Sequence, residues 1–97
     1  MKKRLEAKVV GRVQMVMYRD FATRNARKLG ITGFVENEDD GSVSVVAEGE
    51  ESVLHMYLEL LTRGSVLSHV EQVLPTWAVV RGEEKDFSIR YSNNHLP

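Results

Sequence analysis

Ten consecutive residues, Gly11-Arg12-Val13-Gln14-Met15-Val16-Met17-Tyr18-Arg19-Asp20, pass from a strand-like pattern into a helix-like one. The passage ends on a lone guanidinium, Arg19. The first N–H groups of a helix have no partner inside it, and the helix carries partial positive charge at that end. Such an end holds anions readily. A guanidinium beside it can grip two oxygens of a phosphate in a forked contact. On this reading the loop works through its main-chain amides, and Arg19 supplies the charge. A solvated or ion-paired surface arginine is the competing reading.

The flanking elements decide whether a second group can reach the same place. Leu5, Ala7, Val9, Gly11 and Val13 alternate with Glu6, Lys8, Val10 and Arg12, which reads as a strand with one buried face. From Asp20, a serviceable N-cap, the period becomes helical. Phe21, Ala22, Asn25, Ala26 and Leu29 share one side, and Gly30 closes the helix. Strands are expected over 31–35 and 42–48, joined through the hairpin signal Asp40-Gly41. A second amphipathic helix spans 50–63, with Leu54, Tyr57, Leu58 and Leu61 as its apolar stripe and Gly64 as its stop. A fourth strand falls within 70–80, where Pro75 marks an edge or a bulge. Phe87, Ile89 and Tyr91 alternate in a short last strand.

The order β-α-β-β-α-β with one extra C-terminal strand predicts an α+β, ferredoxin-like sandwich: an antiparallel sheet with two helices on one face. The chain reads as a single domain over 1–97, with loose ends at 1–4 and 92–97. The basic cluster Lys2-Lys3-Arg4 reads as a solvated tail. A β-α-β crossover makes the first two strands parallel, so their C-terminal ends share one edge of the sheet. The 14–19 loop and Asn37 then lie about two strand spacings apart and can converge on one small ligand.

Composition excludes several classes. The net charge of -1 argues against a nucleic-acid partner. The third strand also lacks the aromatic residues that RNA-binding sheets stack on bases. With no cysteine there is no disulfide and no thiolate metal site. His55, His69 and His95 lack ligand spacing. Glu36, Glu38, Asp39 and Asp40 read as a hairpin tip rather than a metal loop, although their charge opposes anion capture. No apolar run suggests a membrane span or an export signal, so a cytoplasmic monomer is expected.

The segment from Gly11 to Arg19 resembles the acylphosphatase signature, Gly-x-Val-Gln-Gly-Val-x-Phe/Tyr-Arg. The likeness runs on through Ala26-Arg27-Lys28-Leu29-Gly30-Ile31-Thr32-Gly33-Phe34-Val35-Glu36-Asn37 and Asp40-Gly41-Ser42-Val43-Ser44-Val45-Val46-Ala47-Glu48-Gly49 to Asp86-Phe87-Ser88-Ile89-Arg90-Tyr91. The resemblance implies hydrolysis of small acyl phosphates to carboxylate and inorganic phosphate. It implies that the amides of Gln14, Met15, Val16, Met17, Tyr18 and Arg19, with the Arg19 side chain, bind the phosphoryl group. It also implies that Asn37 orients the attacking water. Asn37 is no general base at neutral pH, but its amide can hold a water by hydrogen bonds.

Met15 departs from the signature, which has glycine there, and Met17 stands where glycine is common. A left-handed backbone at Met15 costs about 1–2 kcal/mol, and a side chain there can also crowd the phosphate. Reduced or altered activity is therefore expected. Three readings of the pair compete: flexible fillers packed on the sheet edge or helix, a loop changed to bind a different anion or none, and a substitution with its own purpose. The alternative to an enzyme is a non-catalytic anion-binding or regulatory module on the same fold.

Overall fold

A computed structural model describes residues 1–91. The chain runs β1 (Lys2–Arg12), α1 (Tyr18–Lys28), β2 (Thr32–Asn37), β3 (Val43–Glu50), α2 (Glu51–Arg63), β4 (His69–Ala78) and β5 (Phe87–Arg90). The strands form one sheet in the order β4-β1-β3-β2-β5. β1 pairs antiparallel with β3 and β4, and β2 pairs antiparallel with β3. The α+β, ferredoxin-like sandwich is as expected, and the extra strand β5 lies parallel to β2, which makes the five-stranded sheet mixed. The alternation of Phe87, Ile89 and Tyr91 reveals a strand but carries no information about its direction.

The period-two residues Leu5, Ala7, Val9, Val43, Val45, Ala47, Val35 and Phe87 are all buried on the helix-covered face. α1 packs on β2 and β5, and α2 packs on β1, β3 and β4. Two buried tyrosines tie the helices to each other. The Tyr18 hydroxyl donates to the Leu61 carbonyl at 2.7 Å, and the Tyr57 hydroxyl donates to the Ala22 carbonyl at 2.8 Å. Burial raises the pKa of both phenols well above the ordinary value, so they stay neutral donors. Each contributes an aromatic ring to the core while its polar tip remains satisfied.

Pro75 sits in β4 at the sheet edge, in register with Ala7 and free of any bulge. The irregularity falls instead between Val10 and Gly11. There Gly11 adopts φ 136°, and a Cβ would strike the His69 carbonyl. Asp20 does not cap α1: the helix begins at Tyr18, and Asp20 pairs with Arg24 at 2.9 Å. β2 runs on to Asn37, two residues past the expected end, because the ladder with β3 continues to Asn37 opposite Val43. Among the described residues no helix is long and apolar enough to cross a membrane.

The expected loose end at 1–4 is also corrected. Lys2 to Arg4 belong to β1, and the terminal ammonium meets Glu50 at 2.9 Å. Arg4 is only 6% exposed. Its Nη1 donates to Glu48 Oε2 at 3.0 Å and its Nε to Glu6 at 2.6 Å. Glu48 accepts two more bonds, from the N–H of Arg81 at 2.8 Å and of Gly82 at 3.0 Å. β4 and β5 are opposite edges of the sheet, so the chain between them must travel its full width. Glu48 pins that crossing midway, with Arg4 as its counter-ion. The expected loose end at 92–97 lies outside the described residues.

The three donors hold the Glu48 carboxyl below the usual carboxylate range despite burial, which opposes them. A depressed folded pKa contributes stability that is complete above the ordinary carboxylate pKa and is lost as pH falls through the depressed value. Arg4→Met leaves a buried carboxylate without its cation and is expected to cost about 3 kcal/mol in urea denaturation at pH 7. That deficit shrinks as Glu48 becomes protonated in acid. A pH-independent deficit would mean that lost packing, not charge, is responsible.

Candidate anion site

The chain leaves β1 at Arg12 and enters α1 at Tyr18. Met15 has φ 60° and Met17 has φ 62°, both left-handed, while Val16 between them and Tyr18 after them do not have positive φ. Residues of alternating hand turn successive N–H groups to the same side and form a concave main-chain nest for an anion. The N–H groups from Met15 to Arg19 donate to no carbonyl or side chain among the described residues. The first bond of the helix is the Phe21 N–H to the Met17 carbonyl at 3.1 Å. The nest therefore opens directly into the unpaired first turn of α1, and both features favour negative charge.

Gln14 fixes the loop in place. Its Nε2 donates to the carbonyls of Glu38 and Ser42, each at 2.8 Å, and so ties the nest to the β2–β3 hairpin. The Gln14 side chain is thus engaged in a tether. Tyr18 likewise offers the site only its main chain, since its ring is in the core. Val16 packs against that core. The methionines do not fill gaps: Met15 is 99% exposed and Met17 is 66% exposed, which rules out the packing role. The backbone strain at Met15 is therefore not repaid by buried contacts of its side chain.

Arg19 is half-buried, and its guanidinium makes no hydrogen bond or ion pair among the described residues. It lies 5.1 Å from the centre of the Tyr91 ring, within cation–π range. Arg19, Tyr91, Ile89, Val13, Met15 and Met17, with Tyr18 and Asp20, line an open hollow of about 350 Å³, where the Asp20 carboxylate is paired with Arg24 at 2.9 Å. Sequence reading gave Tyr91 no part here. Its position one residue past β5 brings it to this edge only because β5 runs parallel to β2.

Asn37 ends β2 on the same face as Val35, which pairs with Ile89 of the hollow. Its Oδ1 is buried without a hydrogen-bond partner. Asn37 does not line the hollow itself, and no bond joins it to Arg19 among the described residues. The two expected residues therefore lie at the same edge of the sheet with no hydrogen bond between them among the described residues. A buried unpaired carbonyl oxygen is costly, so the amide has a free-energy incentive to find a donor such as water.

The acidic residues around Asn37 oppose an anion less than their number suggests. Asp40 binds Lys8 at 2.7 Å and accepts from the N–H and hydroxyl of Ser42 at 2.9 and 2.6 Å. These partners, Lys8 foremost, hold its carboxyl well below the usual carboxylate range. Its charge is spent on closing the hairpin that Gln14 grips.

The family model of acylphosphatases matches residues 5–89. The chain is 48% identical over 81 residues to an acylphosphatase of Thermus thermophilus, covering 84% of this chain and 88% of that one. It is 40% identical over 88 residues to one from Salinibacter ruber, covering 91% and 93%. The crystal structure of the Bacillus subtilis acylphosphatase superposes with a TM-score of 0.88 at 36% identity, over 94% of this chain and all of that one.

Strain in the nest is open to direct measurement. Met15→Gly removes a left-handed penalty of about 1–2 kcal/mol and adds about 0.5–1 kcal/mol of unfolded-chain entropy. A net stabilisation of about 0.5–1 kcal/mol is expected in urea titration. A destabilised Met15→Gly would show that the exposed side chain supports the fold after all.

Proposed function

Since this chain belongs to the acylphosphatase family, we propose that it hydrolyses the carboxyl–phosphate bond of small acyl phosphates through the nest, Arg19 and Asn37. The observation that carries the reading is the row of N–H groups from Met15 to Arg19 that are unpaired among the described residues, closed by a guanidinium with no ion partner among them.

Phosphoryl transfer gathers negative charge on the equatorial oxygens, so positioning and electrostatic stabilisation dominate its catalysis. The nest amides and the Arg19 fork supply fixed donors for those oxygens. Water attacks phosphorus, the phosphorus–oxygen bond to the acyl group breaks, and the carboxylate leaves with the bonding pair. A carboxylate is a good leaving group, so no strong general acid is required. The water's proton passes to a phosphoryl oxygen of the substrate. Asn37 holds that water by hydrogen bonds and lowers the entropy cost of attack. The reading needs no metal ion, cofactor or covalent phosphoenzyme.

Tyr91 steadies the Arg19 head by stacking and leaves its N–H fork unoccupied for the phosphoryl group. Met15 projects into solvent, so it weakens catalysis through loop strain rather than by crowding the anion. The position of Asn37 outside the hollow favours the second reading, an anion-binding module without turnover. Arg19→Ala and Asn37→Ala separate the two.

With acetyl or benzoyl phosphate as substrate, Arg19→Ala is expected to lower kcat/KM by about 10²–10³-fold and to weaken competitive inhibition by inorganic phosphate. Asn37→Ala is expected to lower kcat by about 10²-fold or more while leaving phosphate inhibition intact. Met15→Gly raises kcat/KM several-fold. Phosphate binding in a parent that shows no turnover would establish the non-catalytic module instead.

A further inference from the structure

The turn after α2 carries residues that its position does not call for. It closes tightly: the Ser68 N–H donates to the Ser65 carbonyl at 3.2 Å, and the Ser65 N–H donates to Ser68 Oγ at 2.8 Å. Turn tips ordinarily carry Gly, Asn, Asp or Pro. This one presents Val66 and Leu67, which are 100% and 59% exposed. They stand with Val16, Met17 and Phe21 around a hollow of about 210 Å³. Ser65 and Arg24 complete its lining, and Arg24 is already paired with Asp20 at 2.9 Å. Met17 is the shared wall, because it lines this hollow and the anion hollow as well.

We propose, resting on the acyl phosphate reading above, that this second hollow receives the acyl group of the substrate. The enzyme then prefers acyl phosphates with an extended alkyl or aryl tail over acetyl phosphate. The two ends of such a molecule need opposite surroundings. With the phosphoryl group in the nest, the carbonyl carbon is two bonds from phosphorus, and the tail must leave past the rim. On the Met17 side the rim continues directly into apolar surface. No carboxylate lines that surface, and its one cation is already matched. An apolar cavity of about 150 Å³ holds a benzene ring, so the hollow has room for an aryl group or a short alkyl chain. Each fully buried methylene multiplies affinity by up to about fourfold. An open hollow covers only part of each methylene and gives about twofold.

The test measures hydrolysis of acetyl, butyryl, hexanoyl and benzoyl phosphate by the full chain and by the double variant Val66→Ser, Leu67→Ser. Both side chains are exposed, and matching thermal melts verify that the variant folds. KM is expected to fall about twofold per methylene from acetyl to hexanoyl phosphate. The double variant is expected to raise KM about tenfold for hexanoyl and benzoyl phosphate, with kcat and KM for acetyl phosphate unchanged. A parent KM indifferent to tail length overturns the proposal. So does a variant that shifts acetyl and hexanoyl phosphate equally, or that alters only sedimentation, which would assign the patch to contact between copies. If acetyl phosphate itself is not hydrolysed, the acyl phosphate reading falls and the subsite with it. Loss of the tail preference alone leaves that reading standing.

Discussion

Between Arg12 and Tyr18 the chain must stop being a strand, reverse its curvature and begin a helix. It does so by setting Met15 and Met17 left-handed around Val16. That choice turns the N–H groups of the loop inward, where no carbonyl meets them. Every other part of the site is arranged around those unpaired donors. Gln14 fixes them to the β2–β3 hairpin, Tyr18 anchors the helix behind them through Leu61, and Arg19 brings charge to their rim. Glycine adopts this backbone freely and methionine does not. The conformation persists because the tether, the buried tyrosine, and the strand before and helix after the loop over-determine it.

The same logic of distant fixation runs through the far end of the sheet. Tyr91 stands beside Arg19 because β5 lies on the outer side of β2. β5 can lie there only if the chain after β4 crosses from the opposite edge. Glu48 holds that crossing by two main-chain bonds and is itself neutralised by Arg4. A buried ion pair at one end of the molecule thus helps set the position of an aromatic ring at the other.

Much of this was legible from residue types, and the illegible parts share a cause. Period-two alternation revealed β1, β3 and β5, and helical periodicity revealed α1 and α2, together with the buried residues of β1, β3 and α2, because burial on one face leaves a periodic trace; β4, mostly exposed at the sheet edge, carries no such trace. The shared edge of the 14–19 loop and Asn37 followed from the parallel direction that a single β-α-β crossover gives to β1 and β2. The burial of Arg4 left no such trace: an arginine near a chain terminus reads as solvated until its partner, Glu48, is placed beside it by strand pairing. The direction of β5 was hidden likewise, since alternation is the same read either way. The start of α1 was misread because Asp20 is a good cap by type, whereas the actual cap, Met17, is a poor one held by tertiary structure. The orphaned Asn37 oxygen is a property of packing, with no signature in sequence.

The central place of β1 has a kinetic consequence. Its register joins Arg4 to Ala78, so one side of β1 finds its neighbour only after the intervening helices and strands have been made. Closing so long a loop loses entropy before any ladder bond returns it, and such topologies search slowly. During synthesis β1 and the β2–β3 hairpin can associate first, leaving one flank of β1 open to stray pairing. The arrival of β4 shuts that flank and ends the window in which β1 is open to stray pairing.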